Sequence, residues 1–388
     1  MPRPFLILSD AVSSGSGLAR IASDIAIRTA KMSELRVATI GPGGVGSSRF
    51  PFQQYSLPEL KDWIVPQLPH IVDDFCSDER PIIFTIWDST RLGWLANHLL
   101  CPPVKELAEL REWVKARNFD LYGYFPLDAD TIDGGVGIVA EQTLTKYDRV
   151  LMYTEWASGV ASQSLLSRPP SLPHGISDTF QPIPMLEARQ RVFPAIPADA
   201  LLIGIVATNQ SRKDWALGLQ VAAALKAKGH KVVLWLHVDH LTRYWDIFGL
   251  LHSLDLATVA IITSDILTDE EMNNCYAACN VTLGIGLGEG FGYPIFESIA
   301  SGTPCIHGRS GGAPEFMPTE MIVDVARLED GSEAWRIEGF YSNRRPVFEV
   351  EKWVNKVERN IHSRVTLPLA LRWKQLWPRF ESWIREGL

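Results

Sequence analysis

Cysteine is scarce in this sequence. Its 388 residues include five cysteines, too few and too scattered for the disulfide framework of a small secreted domain. Cys275 and Cys279 stand one helical turn apart, but no second pair completes a tetrahedral zinc site. We therefore expect buried free thiols, no bound metal and, as the default, the reducing environment of the cytoplasm.

A surplus of positive charge is missing as well. The formal net charge is −8, whereas a nucleic-acid-binding domain usually carries a basic face. No apolar run approaches the roughly 18 residues that cross a bilayer. The N-terminal run FLILS is too short for the apolar part of a signal peptide. These absences predict a cytoplasmic protein with no nucleic-acid partner and at most peripheral contact with the inner face of a membrane.

What the sequence does contain is a regular alternation of short apolar runs with amphipathic helical patterns. Such an alternation predicts βαβ units and parallel sheets. The runs in the first half are FLILS (5–9), RVATI (36–40), PIIFTIW (81–87), DLYGYF (120–125) and DRVLMYT (148–154). Those in the second half are LLIGIVAT (201–208), KVVLWLHV (231–238), VAIIT (259–263), VTLGI (281–285) and PCIHG (304–308). We expect an α/β fold of two doubly wound, Rossmann-like halves that face each other across a ligand-binding cleft.

The division between the halves is indicated by composition. A proline-rich segment without periodicity covers 168–185, after which the alternation starts again. We therefore predict an N-terminal domain over 1–182 and a C-terminal domain over 183–368. The last helical pattern, about 369–388, is interrupted at Pro378 and could pack back on the first domain.

The stretch LGEGFGYPIFESIASGTP, which begins at Leu287, is the most informative one. It follows a predicted strand directly, so its loop lies at the carboxyl end of that strand. Gly290 and Gly292 let the backbone approach a ligand closely, and Pro294 suits the first turn of a helix. The free amides of that turn carry partial positive charge, which predicts an anion site, most simply for a phosphate.

Two glutamates flank this loop. Glu297 is expected in the first turn of the helix, where a carboxylate beside a phosphate would bind a ribose diol. Glu289 precedes the turn and would face a sugar in the cleft. An acid in a first turn is also ordinary compensation of the helix dipole, so geometry alone leaves both interpretations open.

With both glutamates in place, the stretch resembles the E-x7-E motif of the retaining group 1 (family 4) glycosyltransferases. Three other segments are similar to that family in the required order: SLPHGISDTFQPI (171–183), GIVATNQSRKDWALGLQVAAAL (204–225) and GGAPEF (311–316). The resemblance covers about 170–317 well and the N-terminal half only weakly. It implies the two-domain GT-B fold, with a donor-binding C-terminal domain and an acceptor-side N-terminal domain.

The resemblance also implies roles for the residues of the loop. Glu297 would bind the ribose hydroxyls of the nucleotide. Glu289 would hold the hydroxyls of the transferred sugar together with backbone amides of the loop. The donor-binding residues of this segment would be Gly290, Phe291, Gly292, Tyr293 and Pro294. By position, the backbone around Ile266 and Thr268 would meet the base.

A basic pair, Arg212 and Lys213, would neutralise the diphosphate leaving group. Cations at the start of a helix are poorly placed relative to its dipole, which favours a functional role over a solvated surface. The family more often separates the two cations by several residues, whereas here they are adjacent. Which of them contacts the phosphates is therefore open.

The N-terminal half has weaker candidates. Gly15 and Gly17 lie between the first strand and the first helix, where the family's loop approaches the donor phosphate and the acceptor. Asp128 is the candidate for the polar group that the family places near the sugar, with a plain turn residue as the alternative. Asp128 and Asp130 form a D-x-D pair, which could instead bind a divalent metal with a nucleotide sugar.

We predict a retaining, metal-independent glycosyltransferase that uses a nucleotide-diphosphate sugar as its donor substrate and needs no cofactor. The acceptor could be a carbohydrate, a lipid-linked molecule or a small molecule. Each of these would be consistent with a role in glycan biosynthesis. Two alternatives remain on the same fold. One is a nucleotide-sugar epimerase or sugar phosphorylase, and the other is a non-catalytic nucleotide-sugar-binding protein.

Overall fold

The computed structural model describes residues 2–44, 47, 49–58, 60–77, 79–339 and 343–388. The chain forms two compact units. The first contains Met1–His174 together with Trp377–Leu388, and the second contains Gly175–Leu376. Residues 175–182, which the sequence analysis assigned to the first domain, thus lie in the second unit.

The first unit is built on a six-stranded parallel sheet. Its strands are β1 (Arg3–Leu8), β2 (Leu35–Pro42), β3 (Gln53–Leu57), β4 (Ile82–Thr85), β5 (Asp120–Phe125) and β6 (Arg149–Met152). Their spatial order is β3-β2-β1-β4-β5-β6. The central strands β1 and β4 are buried almost throughout, which explains why their sequences are continuous apolar runs rather than alternating ones.

The helices of this unit connect the parallel strands. They are α1 (Gly17–Thr29), α2 (Leu68–Cys76), α3 (Gly93–Ala96), α4 (Ala108–Ala116), α5 (Ile138–Leu144) and α6 (Glu155–Ser162). The first helix begins where the hydroxyl of Ser16 accepts a hydrogen bond from the amide of Ala19, at 3.0 Å. This side-chain cap satisfies one of the amides that the first turn of a helix leaves without a partner.

The second unit repeats the design of the first. Its strands are β7 (Leu201–Val206), β8 (Val232–His237), β9 (Ala260–Thr263), β10 (Val281–Gly284), β11 (Cys305–Gly308) and β12 (Ile322–Val323). Their order is β12-β11-β10-β7-β8-β9, and neighbouring strands are parallel. Counted within its own unit, each sheet therefore has the order 3-2-1-4-5-6.

The helices of the second unit are α7 (Met185–Val192), α8 (Trp215–Ala227), α9 (Ile247–Ser253), α10 (Asp269–Ala278), α11 (Tyr293–Ala300) and α12 (Val350–Asn360). A separate antiparallel pair consists of β13 (Trp335–Glu338) and β14 (Asn343–Pro346). α10 begins with a capping box, in which Thr268 and Glu271 exchange hydrogen bonds.

The last helix, α13 (Trp373–Arg385), runs through Pro378 without a break, so the predicted interruption is wrong. Leu376 and Phe380 are buried on either side of the proline, and their burial offsets the roughly 3 kcal/mol that an internal proline costs. From Trp377 onward the helix belongs to the first unit. There the ring of Trp383 packs against those of Phe84 and Tyr122, with centroids 6.1 and 5.9 Å away.

All five cysteines are buried and free, as expected. Among the described residues, no helix combines the length and the apolar character that a bilayer span requires.

Candidate functional site

The carboxyl ends of β7 and β10 lie side by side at the centre of the second sheet. The chain continues from β7 to β8 on one side of it, whereas β10 lies on the other side. In doubly wound sheets the loops diverge at such a reversal of strand order and leave a crevice for a ligand. The loops concerned are 207–214 and 285–292, which carry the predicted basic pair and Glu289.

These two loops are joined through their backbones. The amide of Leu287 donates to the carbonyl of Arg212 at 2.8 Å, and the amide of Asp214 donates to the carbonyl of Ile285 at 2.9 Å. The register of one loop against the other is therefore set by main-chain hydrogen bonds. These hydrogen bonds therefore fix the positions of Arg212 and Lys213 relative to Glu289, which is far from them in the sequence.

Glu289 is the centre of the resulting cluster. Lys213 Nζ forms an ion pair with its Oε1, and Arg212 Nη1 lies 3.2 Å from its Oε2. The side chains of Glu289 and Lys213 are 12% and 9% exposed, whereas that of Arg212 is 26% exposed. The sequence analysis gave these residues separate ligand contacts, and the structure brings all three together.

The protonation state of Glu289 follows from these neighbours. Burial alone would raise the pKa of this carboxyl group, but the charges of Lys213 and Arg212 and the hydrogen bond from Lys213 outweigh burial. The pKa of Glu289 is lowered to about 2. Glu289 is therefore a carboxylate at neutral pH and a hydrogen-bond acceptor rather than a proton donor.

Glycines provide the space for this arrangement. A Cβ atom at Gly286 would collide with the Glu289 carboxylate. At Gly311, where φ is +66°, a Cβ would stand 2.6 Å from the Glu289 amide nitrogen. The next residue, Gly312, donates its amide to the Glu289 carbonyl at 2.8 Å. The segment 309–312 after β11 thus supports the Glu289 loop from behind.

The start of α11 has the form that the sequence predicts. Gly292 adopts φ +93° immediately before the helix, and Pro294 occupies one of its first two positions. No side chain caps the first turn, because the residue at the cap is this glycine. Phe291 is 2% exposed, and its ring packs on that of Phe296, so the side chain belongs to the core beneath the loop.

Glu297 lies one turn further along α11 than expected. The helix begins at Tyr293, which places no acid in its first turn and Glu297 in the second. Its side chain is 4% exposed, and its Oε2 accepts a hydrogen bond from Tyr276 Oη at 3.1 Å. The expected position in the first turn was wrong because α11 already begins at Tyr293, one residue before Pro294, which makes Glu297 the fifth residue of the helix.

His307 is a further neighbour of this cluster. It is fully buried on β11, and its Nδ1 lies 2.5 Å from the carbonyl oxygen of Gly284, so Nδ1 carries the proton. Burial is the main reason that the pKa of His307 is lowered. The histidine therefore stays neutral near Glu289 and Lys213 and adds no third positive charge.

The residues assigned to the base lie between β9 and α10. The side chain of Ile266 is 81% exposed, and Thr268 is the cap of α10. An exposed apolar side chain beside a helix cap can contact the face of a base, but this contact does not select one base over another.

In the first unit, the predicted residues follow the carboxyl edge of the sheet. Gly15 and Gly17 are exposed on either side of Ser16, which donates a hydrogen bond to Asp10 Oδ2 at 2.5 Å. Asp128 and Asp130 are partly buried in the loop after β5. Within the part of the chain described, no three His, Cys, Asp or Glu side chains are arranged to hold a metal ion.

Three further polar residues at this edge were missed. Asp10 follows β1 and accepts a hydrogen bond from Trp87 Nε1 at 2.9 Å, Asp88 follows β4, and Tyr153 follows β6. Burial and the charges of Asp88, Asp128 and Asp10 raise the pKa of Tyr153. The signal in the sequence was their common position, within three residues of the end of a predicted strand.

No protein-family model matches the sequence, and no curated protein matches it. Solved structures do. HepE of Anabaena, solved in complex with UDP and glucose, aligns with 93% of this chain and 90% of its own, at 12% identity and a TM-score of 0.66. The chain has the GT-B fold.

Two further structures extend this similarity. Sucrose-phosphate synthase of Thermosynechococcus elongatus aligns with 99% of this chain and 98% of its own, at 17% identity and a TM-score of 0.70. WaaG, a glycosyltransferase involved in lipopolysaccharide biosynthesis, aligns with 92% of this chain and 90% of its own, at 14% identity and a TM-score of 0.57. The GT-B fold that the sequence resemblance implied is confirmed.

Proposed function

We propose that this GT-B protein is a retaining glycosyltransferase that moves a sugar from a nucleotide-diphosphate sugar to an acceptor hydroxyl, without a metal ion. The observation that supports this proposal best is the cluster of Glu289, Arg212 and Lys213 at the reversal of strand order in the second sheet. HepE has been solved with UDP-glucose, which makes uridine diphosphate sugars the first donors to test.

The cations supply charge for the leaving group. Two positive charges on one carboxylate leave a net charge of +1 at the loop, and negative charge grows on the diphosphate as the glycosidic bond breaks. Arg212 is the more exposed of the two, so it is the one that we assign to the phosphates. Lys213 stays on Glu289 and holds it in place.

Glu289 acts as a fixed hydrogen-bond acceptor in this proposal. Because its pKa is about 2, it remains ionised and can accept hydrogen bonds from the hydroxyls of the transferred sugar. The acceptor would attack from the face that the diphosphate leaves, and a diphosphate oxygen would take the acceptor's proton. Glu297 would then contact the ribose, and the amides at Gly290 and Gly292 the sugar and phosphate.

The first unit would hold the acceptor. Asp10, Asp88 and Asp128 follow neighbouring strands, and all three charges act on Tyr153. Carboxylates accept hydrogen bonds from neutral sugar hydroxyls, whereas they repel phosphate groups. We therefore propose an uncharged carbohydrate as the acceptor, with Asp128 beside the reacting hydroxyl.

The direct test combines UDP-glucose with a set of neutral and phosphorylated sugars. Release of UDP and the anomeric configuration of the product are followed by NMR, with and without EDTA. We expect a neutral acceptor, a retained anomer and no effect of EDTA. Activity that EDTA abolishes and manganese restores would instead favour Asp128 and Asp130 as metal ligands.

A variant pair tests the role of Arg212. Arg212→Gln should lower kcat/KM by about 10- to 100-fold, the effect of one charge-assisted hydrogen bond. Arg336→Gln removes an exposed arginine of β13 in the same unit and should leave the rate unchanged. Nucleotide binding without turnover of any donor would favour a non-catalytic binding protein, and interconversion of nucleotide sugars an epimerase.

A further inference from the structure

A second concave site lies in the C-terminal unit, formed by none of the residues of the Glu289 cluster. It is a pocket of about 650 Å³, with the carboxyl ends of β11 and β12 on one side and α12 on the other. This volume is within the range of small-ligand sites, roughly 300–1,000 Å³.

The lining of this pocket is basic, although the chain as a whole has a net charge of −8. Its charged side chains are five cations and two acids, a net charge of +3. The cations are Arg309, Arg327, Lys352, Lys356 and Arg359, and the acids are Asp324 and Glu333. Positive charge is therefore concentrated in this pocket, although the chain as a whole is negatively charged.

Most of this charge is not neutralised by the protein itself. Asp324 forms an ion pair with Arg309. The Nε and Nη2 atoms of Arg309 lie 2.8 and 2.6 Å from Asp324 Oδ1. Arg327 donates to the backbone carbonyl of Gly331 at 2.8 Å. Within the described residues, Arg327 forms no ion pair, so its charge remains available to an anion.

The helix α12 contributes the opposite side. Lys352, Lys356 and Arg359 are spaced by four and three residues, which places them on one face of the helix. Lys352 pairs with Glu349 at 2.8 Å, and Lys356 donates to the carbonyl of Thr319 at 3.2 Å. In the part of the chain that the structure describes, Arg359 has neither an ion pair nor a side-chain hydrogen bond.

A solvated basic helix face would explain the three cations of α12 alone. It does not explain why Arg327, which forms no ion pair among the described residues, lines the same pocket as Lys356 and Arg359, because unpaired like charges repel each other and raise the local potential. An anion between the walls removes this repulsion. Arginine forks bind phosphate oxygens bidentately, and lysines bind them as point charges.

We propose that this pocket binds a small soluble ligand with two or more phosphate groups. The site is independent of the donor site and of the proposed transferase activity. Arg309 stands three residues before Gly312, whose amide supports the Glu289 loop. A ligand bound to Arg309 is therefore connected through one short segment to the candidate active site.

The experiment is isothermal titration with inorganic tripolyphosphate as the soluble probe. The wild-type protein should bind it, and binding should weaken as salt is added. The double variant Lys356→Glu, Arg359→Glu should bind about tenfold more weakly or worse. A matched double variant on α13, Lys374→Glu with Arg379→Glu, carries the same charge change outside the pocket and should lose no more than about twofold.

Two further arms separate the other sources of binding. Arg212→Gln weakens any binding of the probe at the proposed donor site, so the pocket is tested in this background. There the change Lys356→Glu with Arg359→Glu should still weaken tripolyphosphate binding about tenfold. Loss of all tripolyphosphate binding in Arg212→Gln alone would assign the probe to the donor site and overturn the proposal. Vesicles of phosphatidylcholine and phosphatidylserine test for a lipid surface. Vesicle binding that requires Lys356 and Arg359, without binding of free tripolyphosphate, would overturn the proposal of a soluble ligand. Equal binding by the wild type and the pocket variant would also overturn it.

Discussion

Glu289 is a buried carboxylate that two cations keep ionised. A neutral residue at this position would leave Lys213 and Arg212 in a partly buried site without their counterion, and uncompensated buried charge is costly. The two cations and the carboxylate are therefore stable in this buried site only when all three are present. Each of the three should influence both the fold of the loop and the chemistry proposed for it.

The stability of the protein should depend on pH through Glu289. Its pKa in the folded chain, about 2, is below its ordinary value of 4.5, so its contribution is complete above pH 4.5 and is lost as the pH falls toward 2. The shift corresponds to roughly 3 kcal/mol. Urea unfolding should therefore show Glu289→Gln less stable than the wild type at pH 7, with the difference shrinking below pH 4.5.

The control for this experiment is Glu329→Gln, which removes an exposed carboxylate of the same unit. Its unfolding free energy should follow the wild type at every pH. If the difference between wild type and Glu289→Gln stays constant down to pH 2, the ion pairs do not set the charge of Glu289.

Glu297 should act on binding more than on the chemical step. Glu297→Gln keeps the shape of this buried side chain but removes its charge, so the KM for the donor and the Kd for free nucleotide should rise about 10- to 100-fold. Glu289→Gln should mainly lower kcat, because free nucleotide lacks the sugar that Glu289 is proposed to hold. Steady-state kinetics and nucleotide titrations measure both quantities.

The variant Tyr276→Phe distinguishes a role of Glu297 in nucleotide binding from a role in the stability of the core. It removes the hydrogen bond to Glu297 Oε2 and keeps the carboxylate. Stability should fall by about 1–3 kcal/mol, with a smaller loss of nucleotide affinity than in Glu297→Gln. Unchanged nucleotide affinity in Glu297→Gln would show that the residue serves the core alone.

The contact of Arg212 and Lys213 with Glu289 could not be predicted from the sequence. The residues are 76 and 77 positions apart, and they meet only because β10 inserts beside β7 and their loops pair. The resemblance implied separate ligand contacts for the three residues, and the structure shows that their side chains contact each other. Hydrogen bonds between the two loops decide their geometry, and these depend on tertiary structure.

At the scale of elements, the segment 309–312 offers a sharp test. Gly311→Ala brings a Cβ into the backbone of Glu289, whereas Gly331→Ala places one in open space at a similar φ, +82°. Both variants carry the conformational cost of about 1–2 kcal/mol for a positive φ. Only Gly311→Ala should also displace the Glu289 loop and lower kcat at least about tenfold. Equal rates in the two variants would show that the loop tolerates the displacement.

The central strands were predictable, whereas two of the edge strands, β3 and β12, were not. The runs that became β1, β2 and β5 are apolar because both faces of a parallel sheet are covered. The edge strand β3, with the sequence QQYSL, is half exposed and polar and gives no such signal.

At the scale of the whole molecule, the two units use one strand order and place their candidate residues at the same kind of position. In the second sheet the loops of the Glu289 cluster follow β7 and β10, where the strand order reverses, and in the first sheet Asp10 and Asp88 follow β1 and β4 at the corresponding place. The alternation predicted the parallel arrangement and five strands in each half, whereas each sheet has six strands. The return of Trp377–Leu388 to the first unit depends on packing between aromatic rings, which no local pattern shows.

The contribution of Trp377–Leu388 to the stability of the first unit can be measured by replacing one buried tryptophan in each unit. Trp383→Ala removes a ring that packs on Phe84 and Tyr122 and should destabilise the first unit by about 3–5 kcal/mol. Trp353→Ala, in α12, removes a buried ring of the second unit. Hydrogen exchange should increase in β4 and β5 in the first variant and in β11 and β12 in the second. Equal exchange in both units for Trp383→Ala would mean that they unfold together.

The order in which a ribosome makes the two units differs from the order in which they can be completed. Residues up to His174 are made first, but Trp377–Leu388 follow only after the whole of Gly175–Leu376. At translation rates of about 5–20 residues per second, the nascent first unit waits roughly 10–40 s for its last helix. During that interval the aromatic surface around Phe84 and Tyr122 lacks its cover, and the second unit has its full sequence before the first one does. The unit that begins folding first is therefore the last to be finished.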